Sequence, residues 1–173
     1  MTLHVERSRA YPVTVEHAWH VVLPTPLDQV FTRWFGPLPP VRAVRDQAGE
    51  WGTVGQTRTI VLADRGTMRE ELTVVEPHER FGYRISDVTG PMKAFAAAVD
   101  GTWTFAPVGT GVRVTWAWTV HPARYAGLTM PVFGRLWHGY AGLALERIET
   151  LLLPRRTTRT GGRGAAPARR GCG

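Results

Sequence analysis

Cysteine is almost missing from this chain: Cys172 is the only one in 173 residues, and a single residue follows it. No disulfide framework, thiolate metal site or prenylation box is therefore expected. Long apolar runs are missing too. No stretch of about eighteen consecutive apolar residues occurs, and the opening MTLHVERSRAYPV lacks the apolar segment of a signal peptide, so a cytosolic protein is expected. There is no Ser-His-Asp order, no HExxH, no CxxC, no glycine loop of the phosphate-binding type and no internal repeat. No metal and no cofactor is implied by any of these residues.

Acidic residues are missing from one region only. The segment 154–173, PRRTTRTGGRGAAPARRGCG, takes six of the 21 basic residues and none of the 14 acidic ones, which leaves 15 against 14 in 1–153. The pI near 10.7 thus belongs to the tail, and the rest is almost neutral. With no aliphatic side chain larger than alanine, that tail is expected to be disordered. Its arginines suit at most a weak, salt-sensitive contact with nucleic acid or an anionic surface, and a solvated extension is the plainer reading.

What is present is pattern. Hydrophobic residues at 43% and charged residues at 20% describe a globular chain long enough to bury a core as one domain, 1–153. Residues 129–153 repeat apolar side chains at three- and four-residue steps, Phe133, Leu136, Trp137, Tyr140, Leu143, Ala144, Ile148 and Leu151, a stripe along one long helix. Gly134, Gly139 and Gly142 interrupt it, either to admit a close neighbour or because packing outweighs propensity. Strand 3–11 opens the chain. A short helix follows with Val15, Ala18, Trp19 and Val22 on one side and Thr14 as its cap. A second, capped by Thr25 with Pro26 in its first turn, places Leu27, Val30, Phe31 and Trp34 inward. Strands are then expected at 41–45, 56–62, 67–75, 80–88, 97–106 and 112–121, separated by turns such as Asp64-Arg65-Gly66 and Pro107-Val108-Gly109. The fold class is α+β: a seven-stranded, curved antiparallel sheet wrapped around a long C-terminal helix, with two short helices after the first strand.

With that order, the opening VERSRAYPVTVEHAWHVV, the Glu76-Pro77 turn with the following RFGYR strand, the GTWTFAPVGTGVRVTWAWTV hairpin and the terminal helix make the chain resemble the START-like (SRPBCC) superfamily. The resemblance spans about residues 3–153. It implies the helix-grip fold of polyketide cyclases/aromatases, lipid-transfer domains and plant pathogenesis-related allergens, with a cavity under the helix for an apolar or amphipathic molecule. Fold-level likeness does not fix which molecule, or whether it is only bound.

Strand phase assigns the cavity wall. In 112–121 the inward set is Val112, Val114, Trp116, Trp118 and Val120; its hairpin partner turns Val99, Trp103 and Phe105 the same way. Indoles suit a flat apolar ligand, though they serve equally well as plain core. Two charges stand in the apolar phase: Arg58, with Ile60 and Leu62, and Glu70, with Met68, Leu72 and Val74. With Ile60 taken to lie near Glu70, Arg58 and Glu70 become diagonal neighbours, either a structural ion pair or a site for a polar ligand group. Asp87 shares the phase of Phe81, Tyr83 and Ile85 but sits at a strand end, where solvent is expected. The candidate ligand wall is thus Arg58, Glu70, Leu72, Tyr83, Ile85, Trp103, Phe105, Trp116, Trp118, Phe133, Trp137 and Tyr140.

Three functions are open at this point: binding or transport of a small hydrophobic molecule; a cyclase or aromatase in which Glu70 abstracts a proton beside a polyketone carbonyl while Arg58, Tyr83 or Tyr140 assists; and an interaction protein whose tail touches nucleic acid. His121, which closes the last strand, and His138, beside Trp137, are expected at the surface, with a proton shuttle as the alternative role. The segments 89–96 and 122–128 are the expected mouth of the cavity.

Overall fold

A computed structural model describes residues 2–153, and the expectations for the tail lie outside them. The chain runs β1 (Leu3–Tyr11), α1 (Val15–Val22), α2 (Leu27–Val30), β2 (Val41–Arg45), β3 (Thr57–Leu62), β4 (Thr67–Glu76), β5 (Arg80–Ser86), β6 (Ala96–Val108), β7 (Gly111–Pro122) and α3 (Met130–Leu152). One antiparallel sheet takes all seven strands in the order β1-β7-β6-β5-β4-β3-β2. β1 pairs with β7, and from β2 onward each strand lies beside its predecessor, joined by tight turns except for the longer 46–56 and 87–95 connections. Bulges between Val41 and Ala43, Leu72 and Val74, and Ala96 and Ala98 bend three strands. Such insertions increase local twist and help a sheet curl around a rod.

The alternation of the hairpin β6–β7 survives in full: Val99, Trp103, Phe105, Val112, Val114, Trp116, Trp118 and Val120 are all buried. On β4 it stops early. Thr73 is the extra residue of the bulge, and beyond it Val74 is only half-buried, not inward as its parity suggested. β5 ends at Ser86 because Asp87 takes a positive φ of 50° and leaves the extended conformation; its side chain faces water, as expected of a strand end.

The second helix is shorter than its apolar spacing suggests. It makes one turn, Thr25 gives its hydroxyl hydrogen to the Val21 carbonyl instead of capping, and Pro26 precedes the helix rather than opening it. Phe31 leaves the helical region, and Trp34, expected inward, is 52% exposed. With Pro37, Pro39 and Pro40 close behind and too little length to offset helix nucleation, one turn is what remains.

α3 is rotated relative to its simplest stripe. Ala141, Leu145 and Leu152 are fully buried beside Phe133, Trp137, Ala144 and Ile148, whereas Leu136, Tyr140, Leu143 and Leu151 are half-covered. Edge strand β1 sets this rotation. The Tyr11 hydroxyl donates to the Leu145 carbonyl at 2.8 Å, Arg9 pairs with Glu149 at 2.5 Å, and Arg7 donates to the His138 carbonyl at 2.5 Å. Gly142 leaves the space in which the Arg7 guanidinium lies and Gly139 the space for the Phe35 ring, while Gly134 has only ordinary contacts ahead of it. Close approach therefore accounts for two of the three helical glycines.

Candidate functional site

β3 and β4 form a hairpin closed by Asp64, whose carboxylate accepts from the Gly66 N–H, with Arg65 at a φ of 70°. Its register is Val61 opposite Thr67, Ile60 opposite Met68 and Arg58 opposite Glu70. The diagonal placement expected from sequence is thus corrected to a direct cross-strand pair. The Leu62 N–H reaches the Gly66 carbonyl and makes the turn tighter than a count of residues implies. A slip of two residues preserves the face, so both charges still point inward.

Arg58 Nε donates to Glu70 Oε2 at 2.5 Å, and both side chains are 4% exposed. The indole of Trp51 lies 3.8 Å from the guanidinium carbon, and Gln47 Oε1 accepts from Nη1 at 3.4 Å. Both come from the irregular 46–56 loop, which Gln56 ties together: its carbonyl oxygen accepts from Gly52 and Thr53, and its amide donates to Ala48 and Glu50. Burial pushes the Glu70 carboxyl up from its usual range, against the opposite pull of Arg58.

Beside this pair stands Tyr83, 5% exposed, whose oxygen accepts from Trp116 Nε1 at 2.7 Å and Trp118 Nε1 at 2.8 Å. Burial also pushes this phenol, and that of Tyr140, above the usual tyrosine range. Trp103 stacks on Trp116 with centroids 5.1 Å apart, and Phe31 stacks on Tyr140 at 5.3 Å while Tyr140 donates to the Pro39 carbonyl.

These side chains enclose a cavity between the sheet, α1–α2 and α3. Its free space, open mouth included, is about 690 Å³, of which about 70 Å³ is room for the centre of a water-sized molecule. A single water needs roughly 10–15 Å³ by the latter measure. Of the candidate wall residues, Arg58, Glu70, Tyr83, Ile85, Trp103, Trp116, Trp118 and Tyr140 line it. Phe133 and Trp137 do not; they line a smaller adjoining cavity with Met92, Leu38 and Pro39, and Leu62, Met68, Trp118 and Tyr140 are shared by both. Leu72 and Phe105 are buried in the packing and reach neither.

Sequence reasoning did not assign Trp51, Phe31, Thr25 or Leu27 to the wall. Trp51 lies in a loop without periodicity, so no pattern singles it out. Met68 and Phe81, also on the wall, were legible as inward by parity. The mouth is displaced as well. Among the wall residues only Thr25, Leu27 and Tyr140 are partly exposed, which opens the cavity at the α1–α2 connection. No residue of 89–96 or 122–128 lines the larger cavity. His121 pairs with Asp100, which also holds Arg84, away from the cavity wall, and His138 is exposed. Among the described residues no group of three His, Cys, Asp or Glu side chains gathers as a metal site, and no helix is long and apolar enough to cross a membrane.

Solved structures share this architecture at low identity. Ara h 8.0201 superimposes with a TM-score of 0.65 at 15% identity, over 90% of this chain and 100% of that one. A protein from Thermus thermophilus, TTHA0849, gives 0.64 at 17%, over 87% and 97%. DynU16, a protein of the dynemicin biosynthetic locus, gives 0.58 at 19%, with 85% of this chain matching 47% of the other. No curated protein matches in sequence. The model of one family, described as polyketide cyclase/dehydrase and lipid transport, matches residues 2–152, nearly the whole described chain. A gripped helix, a hollow beneath it and that match together place the chain in the polyketide cyclase/dehydrase and lipid transport family.

Proposed function

We propose that the chain binds a small, flat, mainly apolar molecule in the larger cavity, as a cytosolic carrier or receptor. The observation that supports this most is the free space itself, enclosed by the sheet, α1–α2 and α3 and lined by partly exposed Thr25 and Leu27 at the α1–α2 connection. Its enclosed room, about 70 Å³, is small beside the roughly 300–1,000 Å³ of drug-sized sites, so a ligand must be small or shift the wall side chains as it enters. Aromatic walls with a few convergent polar groups suit a ring system that is oriented rather than merely dissolved. Native mass spectrometry after incubation with 2-acetonaphthone tests it: a one-to-one adduct is expected, and bare polypeptide at every concentration contradicts the reading.

A second reading, proton abstraction on a polyketone, is favoured by one observation: a buried carboxylate, its proton affinity raised, lies on the cavity wall within the same cluster as a phenol. Glu70 would take the proton from the carbon beside a carbonyl, leaving the electron pair on an enolate oxygen steadied by Tyr83 or Arg58. The enolate carbon would then attack a second carbonyl to close a ring, and the proton would go to the new alkoxide. Turnover of a polyketone panel that vanishes in Glu70→Gln while 2-acetonaphthone still binds is the expected result; no turnover by the unmodified chain contradicts it.

A further inference from the structure

We propose that Tyr83 is a one-directional hydrogen-bond donor to the bound molecule, so that the ligand is a neutral ring system carrying a carbonyl oxygen; this rests on the ligand-binding reading above. A hydroxyl has two lone pairs to accept with and one hydrogen to give. In Tyr83 both lone pairs are occupied, by Trp116 Nε1 at 2.7 Å and Trp118 Nε1 at 2.8 Å. An indole N–H donates and never accepts, so neither partner can take the phenol's hydrogen. Among the hydrogen bonds of the described residues none is donated by Tyr83, and Tyr83 lines the larger cavity. The remaining direction for that hydrogen is the cavity.

Two indole donors also polarise the phenol, since hydrogen bonds in a chain strengthen one another. The position is held from behind as well. Trp116 is packed by Trp103, Phe31 and Trp137, with ring centroids 5.1–5.2 Å apart, so the donors cannot readily turn away. The charge state of the ligand follows from its neighbours. Where Glu70 is ionised it matches Arg58 at 2.5 Å, and the wall then carries no unbalanced positive charge to attract a carboxylate or phosphate. A neutral acceptor oxygen, in the plane of a flat ring that the indoles can face, is what the arrangement recognises.

The test uses two bicyclic compounds of the same shape, 1-indanone and indane, with the full chain. Burying a carbonyl without a partner is costly, so in a purely apolar cavity the hydrocarbon wins clearly. With Tyr83 donating, the ketone-to-hydrocarbon affinity ratio is raised, and Tyr83→Phe lowers that ratio by roughly three- to tenfold. Tyr83→Phe strands two buried indole N–H groups and is expected to be less stable, so a second readout uses the unmodified protein. The infrared carbonyl stretch of bound 1-indanone is expected below its position in hexane. A carbonyl band at its hexane position, or a ratio unchanged in folded Tyr83→Phe, overturns the assignment and leaves the cavity reading standing. Failure of both compounds to bind removes the cavity reading and the assignment together.

Discussion

The ring of Tyr83 lies directly across Gly101, its cross-strand partner, in space that a side chain at that position would occupy. Absence of a β-carbon on β6 lets the phenol lean over its neighbour and reach two indoles on β7, one strand further on. The glycine in GTWTF is thus a packing requirement of the aromatic cluster rather than a turn signal.

Gly101→Ala puts a β-carbon into the Tyr83 ring. Either the strand shifts or the ring leaves its two indole partners, each a buried group that costs about 1–3 kcal/mol when stranded. Chemical denaturation is expected to report a loss of about 2–4 kcal/mol. Near-ultraviolet circular dichroism, which reads the tryptophan environment, changes with it.

The buried ion pair makes a prediction with a sign. Replacing only Glu70 or only Arg58 leaves an unmatched buried charge and is expected to cost about 3–5 kcal/mol, whereas Arg58→Met with Glu70→Leu is expected to be neutral or stabilising by about 1–4 kcal/mol. Stability against pH separates the two further. Because folding raises the Glu70 pKa, the folded state keeps a proton that the unfolded chain has released once pH passes the ordinary glutamate range. This contribution is complete below that range and is lost as pH rises toward the raised folded value. The unmodified protein is expected to lose stability over that interval, and the double variant to lack that part of the slope.

Two glycines of α3 are expected to respond oppositely to alanine. At Gly134 the new methyl meets Val5 and Leu3 at 3.6–3.7 Å, ordinary contact, so the helix-propensity gain of about 1 kcal/mol is realised. At Gly139 it meets the Phe35 ring, which must be displaced. Gly139→Ala is expected to be about 1–3 kcal/mol less stable than Gly134→Ala in parallel melts.

Entry at the α1–α2 connection is tested by kinetics. Leu27→Trp places bulk at a partly exposed wall residue and is expected to slow probe uptake several-fold in stopped-flow fluorescence. Leu128→Trp, in the 122–128 segment and 96% exposed before substitution, is expected to leave the rate unchanged. The reverse order of rates contradicts this mouth.

The fold was legible because period and burial agree over residues 99–105 of β6 and 112–120 of β7, where every second residue is apolar or glycine and every one of those is buried. Arg58 and Glu70 were legible as inward charges for the same reason, and even a register wrong by two residues kept them on one face. Three features were not legible. The bulge at Thr73 breaks parity without any Gly or Pro to mark it. Trp51 covers Arg58 from a loop whose shape is set by Gln56 hydrogen bonds, not by periodicity. The mouth is marked by the partial exposure of Thr25, Leu27 and Tyr140 on the cavity wall, a tertiary outcome that local spacing does not carry.

The cavity as a binding site is tested most directly by titrating the tryptophan emission of the intact chain with a neutral naphthyl ketone. Four indoles, Trp51, Trp103, Trp116 and Trp118, stand on the cavity wall. Quenching that saturates at one molecule per chain is the predicted result; quenching that rises linearly with concentration and never saturates, as for collisions at the surface, would contradict it.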